Sequence, residues 1–260
     1  MLEVKNLGLQ IGGQIILEGI HAVFKAGEFS MIIGPNGSGK SSLLKIISNE
    51  IKNFSGSVYY DSKVLVPSEG SKLAKIRAVL SQQPELSFPL CVEEVVMMGR
   101  YPHFNFQPSA RDKRIVGEVM EELAIDHLRE RNYLTLSGGE KQKTHFARVL
   151  AQIREVPENG SRYLFLDEPI AFMDLNYQHE FLRLAGSLAK ENTVVIAVVH
   201  DLNLALQYAG RILALNKGKV VADGIPDQVI TPELIEEMYN LKARMLRYEG
   251  VSFPVLLAGG

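Results

Sequence analysis

The chain has 260 residues and a single cysteine, Cys91. One thiol cannot form an intramolecular disulfide, and no zinc cluster can be built from thiolates. Cys91 lies in the apolar stretch FPLCVEEVV, which predicts a buried structural residue and not a nucleophile. Long apolar runs are missing too. The longest, TVVIAVV from Thr193, is far short of the roughly 20 residues that span a bilayer. If the chain serves a membrane process, the membrane part is another chain. The start, MLEVKNLGLQ, lacks the basic-then-apolar pattern of a leader, so the chain is expected to stay in the reducing cytoplasm. A formal net charge of -2 forces no basic face, so no nucleic-acid partner is expected. No repeat, low-complexity tract or linker divides the sequence.

What remains is an ordinary globular composition, 46% hydrophobic and 22% charged, long enough to bury a sizeable core. The first sixty or so residues alternate apolar and polar positions with glycine punctuation, which predicts strands and turns. Phe29 to Gly34 (FSMIIG) is a short apolar strand ending in glycine, and SSLLKIISNEI follows with helical spacing. Three segments between about Phe88 and Ala151 carry apolar residues at i, i+3, i+4 beside charged faces. Strands resume at RYLFLDE, TVVIAVV and RILALNKGKVVADG, with a helical segment between the first two. Strands alternating with helices imply a mostly parallel sheet, and the helical block reads as an insertion into an α/β core. A short acidic helix, PELIEEMYN, and a strand-like tail follow.

Gly34, Pro35, Asn36, Gly37, Ser38, Gly39, Lys40 and Ser41 read GPNGSGKS, the phosphate-binding pattern G-x-x-x-x-G-K-[ST]. The glycines let the backbone curl so that its N–H groups face phosphate oxygens, and the helix starting near Lys40 adds its positive end. Lys40 would reach the β- and γ-phosphates, Ser41 would ligate Mg²⁺, and Ser42 continues the cradle. A glycine turn that binds nothing is the alternative. The position between an apolar strand and an amphipathic helix argues against it. Asp167 and Glu168 end another apolar strand, YLFLDEP, where paired acids are costly unless used. Asp167 would hold Mg²⁺ through water, and Glu168 would polarise the attacking water.

Leu136 to Gln142 reads LSGGEKQ, which closely resembles the signature of the ABC ATPases. The resemblance runs from about Leu2 to Ile230, with the motifs in the family's order. It implies a P-loop NTPase fold: an α/β core with a mostly parallel sheet, an N-terminal antiparallel β subdomain and an inserted helical subdomain. One domain, 1–260, is expected, with 1–87 and 152–260 as core and 88–151 as the insertion. It also implies a head-to-tail homodimer in which Ser137, Gly138, Gly139 and Glu140 meet the ATP held by the partner's P-loop, with Asp174 at the junction. His200 matches the switch histidine at the γ-phosphate. Gln82 matches the loop glutamine that senses Mg²⁺ and water, with Gln83 the alternative register.

Two departures stand out. Ile11, before Gly12 and Gly13, occupies the position of the family's adenine-stacking aromatic, so apolar burial replaces π-stacking there. The D-loop reads AFMD, and Ile170 replaces the usual threonine. The stretch VEEVVMMGRYPHF resembles the importers of iron-siderophore, cobalamin and haem. The Pro-Glu-Asn-Gly insertion before RYLFLDEP is similar to that of haem import ATPases. The resemblance thus implies two copies bound to a permease homodimer, peripheral on the cytoplasmic face of the membrane, and fed by an extracytoplasmic binding protein. Siderophore and cobalamin remain alternatives, as does an iron–sulfur assembly ATPase.

Overall fold

The computed structural model describes residues 1–81, 86–87, 89–170, 173–248 and 251–257. In chain order the elements are β1 (Leu2–Ile11), β2 (Gln14–Phe24), β3 (Phe29–Ile33), α1 (Lys40–Ile47), β4 (Ser55–Tyr60), β5 (Lys63–Val64), α2 (Gly70–Leu73), β6 (Arg77–Leu80), α3 (Val92–Met97), α4 (Ala110–Glu122), α5 (Gly138–Gln152), β7 (Arg162–Asp167), α6 (Leu175–Ala189), β8 (Thr193–Val198), α7 (Leu202–Tyr208), β9 (Arg211–Asn216), β10 (Lys219–Gly224), α8 (Pro226–Val229), α9 (Pro232–Tyr239), β11 (Ala243–Tyr248) and β12 (Val251–Leu256). They divide into two compact units, Met1–Pro67 with Leu182–Gly260, and Ser68–Phe181.

In the first unit, alternation decides which strands have a wet face. Along β1, Leu2, Val4, Leu7 and Leu9 are buried. The alternation slips by one between Val4 and Leu7, where the register shifts and Asn6 takes φ 47°. β1 pairs antiparallel with β2 and β4, giving a sheet in the order β2-β1-β4-β5. In contrast, β3 and β8 are buried at every residue, as expected of parallel strands covered on both faces. β3 lies parallel between β8 and β9, and β10 returns antiparallel to β9. The run RILALNKGKVVADG is thus a hairpin, turning at Lys217 (φ 46°) and Gly218 (φ 78°). β11 and β12 form a separate antiparallel ribbon.

The second unit holds β6 and β7, paired parallel, and the helices α2 to α5. Ser109 and Ser137 open α4 and α5 with capping boxes, each closed by an acid three residues on, Asp112 and Glu140. α4 buries Ile115, Val116, Val119 and Met120, the apolar stripe read from the sequence. Cys91, expected to be buried, is half-buried at the N-cap of α3, where its N–H donates to Glu94 at 2.8 Å. Partial burial still pushes the thiol above its ordinary pKa.

Arg100, 1% exposed, organises the far end of this unit. Its guanidinium donates to Asp112 (2.9 Å), to the carbonyl of Ala151 (2.8 Å) and to Glu155 (2.5 Å). Arg111 and His103 also reach Glu155, at 2.6 and 3.1 Å. Burial pushes the carboxyl of Glu155 up, but the hydrogen bond and charge of Arg100, with Arg111, outweigh it and hold it below its usual range. Asp112 is likewise held low against burial, by the Ser109 hydroxyl and amide and by Arg100. The extra loop noted in the sequence therefore supplies a counter-ion for the MGRYPH segment.

Candidate functional site

In the first unit the chain leaves buried β3 at Gly34 and curls through Gly37 (φ 76°) and Gly39 (φ 100°) into α1. Both lie in the left-handed region that favours glycine. A Cβ on Gly34 would strike the carbonyl of Leu215, so the first residue of the loop must also be bare. Gly39 is the N-cap of α1 and offers no side-chain cap, leaving the positive helix end to whatever the loop encloses. Asn36 and Gly37 form an exposed lip, Pro35 is half-buried, and Ser41 and Ser42 sit half-buried in the first turn. Ser38 is buried, and its hydroxyl has no hydrogen-bond partner among the described residues. Lys40 is 5% exposed and folds back, its ammonium donating to the carbonyls of Gly34 and Pro35 at 2.9 Å each. These carbonyls hold the charge inside the loop, where it can be transferred to phosphate oxygens.

His200 lies just beyond β8, and the Val199 N–H bonds to the Ile32 carbonyl of β3 at 3.1 Å. Because β3 and β8 are parallel, the P-loop and His200 leave the sheet at the same edge, the carboxyl edge where α/β proteins bind ligands. His200 is exposed, and Asp201 after it caps α7 through the amides of Asn203 and Leu204. Ile11 ends β1 at the Gly12–Gly13 turn and is 56% exposed.

In the second unit β7 is buried throughout and ends at Asp167, 8% exposed. Glu168 follows with φ 49°, left-handed backbone on a residue with a long side chain. Such strain gathers at functional positions. Asp174 accepts from the amide of Tyr177 at 3.0 Å and so caps α6. Ala171 and Phe172 of the D-loop lie outside the described residues, as do Gln82, Gln83 and Phe88.

The signature segment opens α5. Ser137 donates its hydroxyl and its N–H to Glu140, at 2.8 and 2.7 Å, and Arg131 adds an ion pair to the same carboxylate at 3.2 Å. The Ser137 N–H, then its hydroxyl, hold Glu140 below its ordinary pKa. Gly138 and Gly139 have open space where a side chain would project, so an anion can approach the helix end closely. Gln142, quoted with the signature but given no role from the sequence, donates to the Pro169 carbonyl at 2.7 Å. It ties the signature helix to the residue after Glu168. A glutamine three residues after the SGG run was the only signal. The P-loop residues and His200 are gathered within one unit, and the acids, signature and Asp174 within the other.

The ABC transporter family model matches residues 17–171. The chain is 43% identical over its full length, and over 94% of the relative, to a protein named hemin import ATP-binding protein HmuV from Gloeobacter violaceus. A second protein of that name, from Photobacterium damselae subsp. damselae, is 41% identical, covering 99% of this chain and 96% of the relative. Among solved structures, an inward-facing metal-chelate type ABC transporter superposes with TM-score 0.83 at 25% identity, covering 99% of this chain and 97% of that one. A bacterial ABC transporter cassette solved as a dimer gives 0.74 at 27%, over 87% and 99%. An uncapped glycine loop around a buried lysine, a strained glutamate after a buried strand and an SGG-headed helix are what this resemblance requires, and the chain belongs to the ABC transporter family, within the group of ATP-binding proteins that the hemin import proteins represent.

Proposed function

We propose that this chain binds and hydrolyses ATP as the energising subunit of an importer that takes up haem through a separate permease. The observation that carries the nucleotide reading is the P-loop, which brings together an uncapped helix end, a buried lysine and a buried serine hydroxyl with no hydrogen-bond partner among the described residues. Gly34, Pro35, Asn36, Gly37, Ser38, Gly39, Lys40, Ser41 and Ser42 hold the triphosphate, and Ile11 covers the base. Glu168 polarises water, His200 meets the γ-phosphate, and Gln82 senses both. Mg²⁺ suits the donor set, since a hydroxyl on Ser41, a carboxylate on Asp167 and an amide carbonyl on Gln82 are the hard oxygens it prefers. When bound it neutralises phosphate charge.

Two copies pair head to tail, so that Ser137, Gly138, Gly139, Glu140 and Asp174 complete the partner's site. The dimer is peripheral on the cytoplasmic face of the membrane, bound to two permease subunits that an extracytoplasmic protein loads. Residues 88–151, the helical insertion into a core of 1–87 and 152–260, meet the permease. A groove of about 590 Å³ there is lined by Met97, Met98, Tyr101, Phe104 and Phe106, the last 97% exposed, together with Glu93, Glu94 and Lys113. Apolar and charged side chains in one groove suit an amphipathic helix. Among the described residues no helix is long and apolar enough to cross a membrane, so the translocation path falls to the other subunits.

Cargo rests on the 43% identity to a hemin import protein, because no residue here need touch it. The test is ATPase of the reconstituted complex. Stimulation is expected from a haem-loaded binding protein. Stimulation by a siderophore- or cobalamin-loaded protein alone overturns haem but not the importer. Co-purification with a soluble iron–sulfur scaffold in place of a permease overturns the importer.

A further inference from the structure

The P-loop is not held only by its own strand and helix. The hairpin turn at Lys217 and Gly218 lies against it. The Gly218 N–H donates to the Ser38 carbonyl at 3.1 Å, and the Gly218 carbonyl accepts from the Glu18 N–H of β2 at 2.9 Å. β2 is the edge strand of its sheet, so this bond takes up an amide that would otherwise face outward. Two close approaches flank the chain of bonds. A Cβ on Gly218 would lie 2.5 Å from the Ile16 carbonyl, and one on Gly39 would lie 2.6 Å from a methyl of Leu17 and 3.0 Å from the Ile16 carbonyl. Three segments distant in sequence therefore meet backbone to backbone: P-loop, turn and β2. β2 begins at the Gly12–Gly13 turn that carries Ile11.

We propose that Gly218 is a positioning residue for the nucleotide: it fixes the span between the phosphate end, set by the P-loop, and the base end, set by the β1–β2 hairpin. This rests on the reading that the P-loop binds ATP with its base toward Ile11. Neither end is shaped by the turn alone. P-loop curvature comes from its own glycines, and the hairpin is closed by its own register, with Ile11 opposite Gln14. What the turn adds is the distance between them. A ligand that touches one end does not sense that distance, whereas a ligand that touches both does.

Binding of the non-hydrolysable analogue AMP-PNP and of inorganic tripolyphosphate to the full chain separates the two cases. Gly218→Ala should weaken AMP-PNP about tenfold, the scale of one mispositioned hydrogen bond. Tripolyphosphate should stay within about twofold on the same scale. Gly27→Ala is the control, because Gly27 has φ 96° but open space at its Cβ, giving backbone strain without a contact. It should leave both ligands unchanged. Equal loss of both ligands in Gly218→Ala, or loss of neither, overturns the proposal. If Gly218→Ala does not fold, amide exchange in the wild-type chain decides. The Glu18 and Gly218 amides should slow with AMP-PNP and not with tripolyphosphate, and an equal response overturns the proposal. A wild-type chain that binds tripolyphosphate but no AMP-PNP removes the ATP reading itself, whereas one that binds AMP-PNP with an indifferent variant removes this inference alone.

Discussion

Two helices in this chain begin at glycine-rich turns, and they treat their first turns in opposite ways. α1 starts at Gly39, with no side-chain cap, and keeps a buried lysine beside its end. α5 starts at Ser137, with a closed capping box that brings the carboxylate of Glu140 to its own N-terminus. An uncapped positive end with an ammonium beside it is a binding site on its own. A capped end whose anion is built in attracts a second anion weakly, because Glu140 already occupies much of the favourable potential. In the proposed function the first helix holds a nucleotide even in an isolated chain. The second needs the phosphate delivered and positioned by something else, and in the proposed dimer that is the partner's P-loop.

Each prediction sharpens or breaks that contrast. The largest effect belongs to Glu168→Gln, which should keep nucleotide binding but remove the carboxylate proposed to polarise water. Turnover in the assembled transporter should fall by about 10²–10⁴, and ATP should hold the chain as a dimer, visible by size-exclusion chromatography. Steady-state ATPase near wild type would remove Glu168 from its role. Lys40→Ala comes next. It should cost about 3 kcal/mol of ATP affinity, more than a hundredfold, because a charge-assisted contact to phosphate is lost. Calorimetry that finds unchanged affinity would mean that α1's end holds the nucleotide unaided.

Ser137→Ala tests the other side. It should lower the melting stability of the chain by about 1 kcal/mol, the worth of an N-cap, and leave nucleotide affinity of the monomer unaltered. Reduced monomer affinity would show that the two helix ends are not separate sites. Ile11→Tyr should tighten ATP by about 0.5–1.5 kcal/mol through an added stacking partner, and no change places the base elsewhere. The smallest effect is with acid. Glu140 is held below its ordinary pKa in the folded chain, first by the Ser137 N–H and then by its hydroxyl. Its contribution is therefore fully present above the unfolded value and is lost as pH falls through the lower, folded one. Amide exchange near the start of α5 should quicken over that window, and Glu140→Gln should abolish the dependence.

The sequence makes the strands and the loop residues legible because their physics is local. FSMII and YLFL are short, mostly apolar runs followed by turn residues, the pattern of buried strands, and GPNGSGKS states its own curvature through Gly37 and Gly39. What escaped were side-chain paths, backbone strain and specific contacts between residues far apart. Lys40 folding back on Gly34 and Pro35 could not be read, since a lysine after glycine says nothing of where its ammonium rests. Gln142 finding the Pro169 carbonyl spans 27 residues, and the Gly218 turn meets segments about 180 and 200 residues upstream, at Ser38 and Glu18. The Pro-Glu-Asn-Gly insertion was legible as an oddity but not as the source of Glu155's bond to Arg100. The strained φ of Glu168 had no sequence signal, because a long side chain gives no hint of left-handed backbone.

The Arg100 cluster also constrains how such a chain can change. Arg100 is almost sealed from water, and one of its two carboxylates sits in the inserted loop while the other begins α4. Trimming the loop would leave Arg100 with Asp112 as its one carboxylate, at the cost of a charge-assisted hydrogen bond worth about 1.5–3 kcal/mol, and would also take Glu155 away from Arg111 and His103. Loop length and the residue at position 100 are thus a single heritable character. A shortened chain would need Arg100 and Asp112 replaced together, since either alone is a buried charge without its partner, and an engineer grafting the MGRYPH segment onto another scaffold must carry the loop with it.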